Sequence, residues 1–61
     1  MDLKKLLDYV EENARDVSDL IKVADIRRIK PGDPWRAHLI NDLRSRYELE
    51  ITEADLQKEN L

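Results

Sequence analysis

Sixty-one residues with 41% charged side chains and a net charge of −3 make at most one small domain. The absence of cysteine excludes disulfides, thiolate metal sites and thiol catalysis. One glycine, two prolines and no phenylalanine among abundant helix formers argue against an all-β fold, while 41% apolar content with clear periodicity argues against disorder.

In residues 2–14, Leu3, Leu6, Leu7, Val10 and Ala14 fall at i, i+3, i+4, i+7 and i+11, one apolar stripe of a helix. Lys4, Lys5, Asp8, Glu11 and Glu12 occupy the opposite side, and Tyr9 lies at the stripe's edge. The following NARDVSD segment supports two readings. Leu3, Leu7, Val10, Ala14, Val17, Ile21 and Ala24 alternate by four and three, a heptad seam suited to one helix over residues 2–28. Alternatively the helix breaks near Asn13–Ser18, with Asp16 or Ser18 capping a second helix. The break is favoured, because two short antiparallel helices bury their stripes on each other.

From Val23 the stripe dissolves: Val23, Ile26 and Ile29 lie on a different side from Leu20, Ile21 and Ala24. Lys30 precedes Pro31 and is biased away from helix, and KPGD reads as a turn with Gly32 free to take a positive φ. Asp33 is a natural N-cap and Pro34 suits the first helical position. Trp35, Leu39, Ile40, Leu43 and Tyr47 then form the stripe of a helix over 33–47. Its outward face holds Ala37, His38, Asn41 and Ser45, with Arg44 beside them, while Arg36 falls on the apolar side in the first turn. ELEI reads as an extended connector. Thr52 with Asp55 forms a variant capping box and Ile51 with Leu56 a hydrophobic staple, which predict a short last helix over 53–59.

The charge is segregated. Residues 1–21 carry −3, residues 22–47 carry +4 and residues 48–61 carry −4. A basic middle can meet a phosphate backbone or pair with the acidic ends of its own chain; the flanking acids, which repel a polyanion, favour internal pairing.

Enzymatic chemistry finds little footing. His38 and Asp42 at i+4 offer two metal ligands where a site needs three or four. Ser18 and Ser45 lack a plausible His–acid partner, and one glycine cannot build a phosphate loop. No catalytic, metal or cofactor site is expected. The stretch WRAHLINDLRSRYELEITEADL resembles, in its apolar spacing, the middle helix, connector and short helix of acyl- and peptidyl-carrier domains. That resemblance implies similar helix packing, but Asp33, Pro34 and Trp35 stand where carriers place the Asp-Ser-Leu that accepts phosphopantetheine, and the usual last helix is missing.

The expectation is therefore a single all-α domain over residues 1–61, of three or four helices, compatible with a terminal domain of a longer protein. Its core would set Trp35, Leu39, Leu43 and Tyr47 against Leu3, Leu7, Val10 and Ile21. The expected function is non-enzymatic protein–protein interaction, by docking, regulation or self-association, through Val23, Ile26 and Ile29 or through Ala37, Asn41 and Ser45. The alternative is a DNA- or RNA-binding regulator using Arg27, Arg28, Lys30, Asn41 and Arg44. No run reaches the roughly 20 apolar residues of a membrane span and no secretory signal is visible, so no membrane partner and a cytoplasmic location are expected.

Overall fold

A computed structural model describes residues 1–52, 54 and 55. It contains three helices, α1 (Leu3–Asn13), α2 (Val17–Arg28) and α3 (Pro34–Arg46), and no strand among the described residues. The domain is all-α. The helix expected over 53–59 lies outside the described residues except at Ala54 and Asp55, which are helical. Its capping box is present: the Thr52 N–H donates to Asp55 Oδ2 (3.1 Å) and the Asp55 N–H to Thr52 Oγ1 (3.2 Å).

Each helix begins on an aspartate whose carboxylate accepts from the exposed first-turn amides. Asp2 takes the Lys5 N–H at 2.9 Å, Asp16 the Asp19 N–H at 3.3 Å and Asp33 the Trp35 N–H at 2.8 Å. The chain thus breaks between Asn13 and Val17, and the single-helix reading is excluded. Gly32 takes φ +95° in the turn before α3.

α3 ends in a Schellman motif. The Leu49 N–H donates to the Arg44 carbonyl (3.0 Å) and the Glu48 N–H to that of Ser45 (3.4 Å). The left-handed position falls on Glu48, at φ +54°, so this part of ELEI is a helix-terminating turn rather than extended chain. The half-buried Arg44 donates from Nη1 to the Ile51 carbonyl at 3.2 Å and folds the connector back onto α3.

α2 packs against both α1 and α3. The core comprises Leu3, Leu6, Leu7 and Val10 of α1, Val23 and Ile26 of α2, and Leu39, Ile40, Leu43, Tyr47 and Ile51, with Ile29 and Leu49 packed on its edge. Two residues expected inside are not there: Trp35 is 56% exposed and Ile21 55%. The buried arc of α3 is centred on Arg36, Leu39, Ile40, Leu43 and Tyr47, which leaves Trp35 on its rim, stacked on His38 with ring centroids 5.4 Å apart. The inward face of α2 is the side of Asp19, Val23 and Ile26, opposite Ile21.

A non-glycine residue at the left-handed C′ position crowds its own Cβ, at a cost of about 1 kcal/mol. Glu48→Gly is expected to raise unfolding stability by up to about 1 kcal/mol, part of the gain being lost to glycine's greater freedom in the unfolded chain. Urea unfolding of both proteins measures the difference.

Candidate functional site

Two features of α2 set the geometry of the candidate site: a buried polar cluster on its inward face and an uncovered apolar stripe on its outward face.

The cluster centres on Asp19, which is fully buried. The Tyr47 hydroxyl donates to Asp19 Oδ2 at 2.5 Å and accepts the Arg15 N–H at 2.9 Å. Arg46 Nε lies between the two carboxylate oxygens, 3.0 Å from Oδ1 and 3.2 Å from Oδ2, with its N–H aligned on Oδ2 alone. Arg46 Nη2 reaches the capping carboxylate of Asp16 at 3.0 Å, and Ser18 Oγ donates to the other oxygen of that carboxylate at 2.5 Å. Arg15 completes the cluster: its Nη1 donates to the Arg46 carbonyl at 3.2 Å, and its guanidinium carbon sits 4.9 Å from the Tyr47 ring centroid. Tyr9 meets the same ring edge-on at 6.3 Å. The link between α1 and α2 is thereby fastened to the end of α3.

At the other end of α2, Arg36 is 7% exposed and its Nε donates to the Ile26 carbonyl at 3.0 Å, satisfying a last-turn acceptor that no helical amide can reach. The two ends of α3 therefore grip opposite ends of α2, and the helices run antiparallel.

Burial alone raises the Asp19 carboxyl, but hydrogen bonds from Tyr47 and Arg46 and the positive charge of Arg46 outweigh it, leaving the group below its ordinary value of 3.8. Asp16 is also lowered, chiefly by the Ser18 hydroxyl, with the Asp19 amide and Arg46 adding to it. Arg46 is raised by its hydrogen bond and charge interaction with Asp19.

On the outward face, Val17 (69% exposed), Leu20 (42%), Ile21 (55%) and Ala24 occupy i, i+3, i+4 and i+7. α2 is thus apolar on two opposite sides, one in the core and one in solvent. A shallow groove along the Leu20 edge is lined by Glu11, Leu20, Val23, Ala24 and Arg27. Its charged wall is an internal pair, with Arg27 bound to Glu11 and also to Asp8 at 3.2 Å.

The residues singled out from sequence separate accordingly. Val23 and Ile26 are core residues, 2% and 0% exposed, and Ile29 packs half-buried against them; they are not a surface. The change of side at Val23 that suggested an interface is the core face of α2, disguised because its first member is the acid Asp19. Ala37, Asn41 and Ser45 are exposed on the outer side of α3. Among the nucleic-acid candidates, Arg27 is bound as described, Arg28 pairs with Asp25 at 2.8 Å and Arg44 holds Ile51, while Lys30 and Asn41 are exposed. His38 Nε2 stands 3.8 Å from Asp42 Oδ2, and no group of three potential metal ligands occurs among the described residues. No helix of the described residues is long and apolar enough to cross a membrane.

Sequence reasoning missed Asp19 and placed Arg36 at the solvent-facing end of the core. The available signals were the angular position of Arg36 on the apolar side and the hydroxyl of Tyr47, which needs a partner once its ring is buried. Comparison with protein families, curated proteins and solved structures finds no match to this chain.

Because Asp16 and Asp19 titrate lower in the fold than in the unfolded chain, their contribution is complete above the ordinary carboxylate value and fades as pH falls through their folded values. Asp19→Asn is expected to be less stable than the parent at pH 7, with the gap closing progressively below about pH 4 in thermal melts. Tyr47→Phe leaves the buried carboxylate short of a donor and is expected to cost about 1–3 kcal/mol at pH 7.

Proposed function

We propose that this chain is a helical protein-interaction module whose contact surface is the outward stripe of α2, Val17, Leu20, Ile21 and Ala24. The observation that carries the reading is that these four residues form a regular helical stripe while the core is already complete without them. A helix needs one apolar stripe to join its own fold. A second, regularly spaced and in water, has the form of a helix-in-groove or helix–helix contact, whose anchors recur at i, i+3, i+4 and i+7. Single exposed apolar residues are ordinary; a contiguous row is the pattern that marks an interface.

The function so read is binding rather than catalysis. The titratable groups at the α1–α2–α3 junction are paired with one another and serve to hold the helices. The nucleic-acid alternative is the poorer fit, because a phosphate would have to displace Asp8 and Glu11 from Arg27, and Asp25 from Arg28. Lys30 and Asn41 alone offer little of the cationic surface that polyanion binding draws on.

Replacing Leu20 and Ile21 together by glutamate separates a contact face from a core face. Both residues are exposed, so the variant is expected to keep its helical signal and to change stability in dilute solution by no more than about 0.5 kcal/mol. In extracts of cells that make the protein, the parent chain is expected to elute in a complex larger than itself, and the double variant to elute free. A parent chain that elutes free, or a variant that stays in the complex, would reject the reading.

A further inference from the structure

We draw no further inference here: the strongest candidate, the apolar stripe on the outward face of α2, carries nothing beyond the reading above, because Asp16, Arg27 and Arg28 at its ends are paired within the chain and nothing in the structure shows what covers it.

Discussion

An ionised carboxylate closed off from water, that of Asp19, decides which side of α2 faces the core. Burying an unpaired carboxylate costs several kcal/mol, so the fold tolerates it only with its donors in place. Tyr47 and Arg46 supply them from the end of α3, and the same tyrosine accepts the Arg15 amide. The apolar content of α2 does not make this choice. The inward face offers Val23 and Ile26 with Ile29 beyond them, and the outward face offers Val17, Leu20, Ile21 and Ala24, so by area the two are close competitors. What separates them is polar: turning the outward stripe inward would strip the Tyr47 hydroxyl and the Arg46 guanidinium of Asp19 and leave Arg36 without the Ile26 carbonyl.

This explains how far the fold was legible in the sequence. Caps and periodicity located α1 and α3 and favoured a break before α2, since Asp16, Asp33 and Pro34 act through backbone geometry next door. The faces of α1 were equally readable, because Leu3, Leu6, Leu7 and Val10 are apolar and their neighbours charged. The face of α2 was not. A rule that turns apolar residues inward cannot foresee an inward aspartate, and it read the solvent stripe as the core seam and Val23 and Ile26 as leftovers. Trp35 failed for a related reason. Arg36 takes the inward position at the start of α3 because its guanidinium closes the end of α2, and the indole is displaced to the rim. The carrier-like spacing over residues 35–56 survives only as spacing, for Pro34 at the first position of α3 has no hydroxyl to modify.

The candidate surface inherits this logic. The expectation of an exposed helix face came from counting apolar residues beyond one core, and the structure moves that surplus from Val23, Ile26 and Ile29 to the opposite side of the same helix. Two of the seven cations in the basic middle turn on the acidic N-terminal block: Arg27 to Asp8 and Glu11, Arg46 to Asp16 and Asp19. The exposed pairs among these, those of Arg27 and that of Arg46 with Asp16, add little stability individually. The stripe of α2, with Val17, Leu20 and Ile21 exposed, lies on the side of the helix opposite the junction of Asp19, Tyr47 and Arg46.

The most direct check is the reactivity of single thiols placed on the two sides of α2, in Ile21→Cys and Ile26→Cys chains in dilute solution. If the buried carboxylate sets the rotation as described, the thiol at position 21 reacts with a small disulfide reagent as fast as in an unstructured peptide. The thiol at position 26 then reacts only as often as the fold opens, slower by orders of magnitude. Equal reactivity at the two positions, or protection at 21 with freedom at 26, would contradict the account.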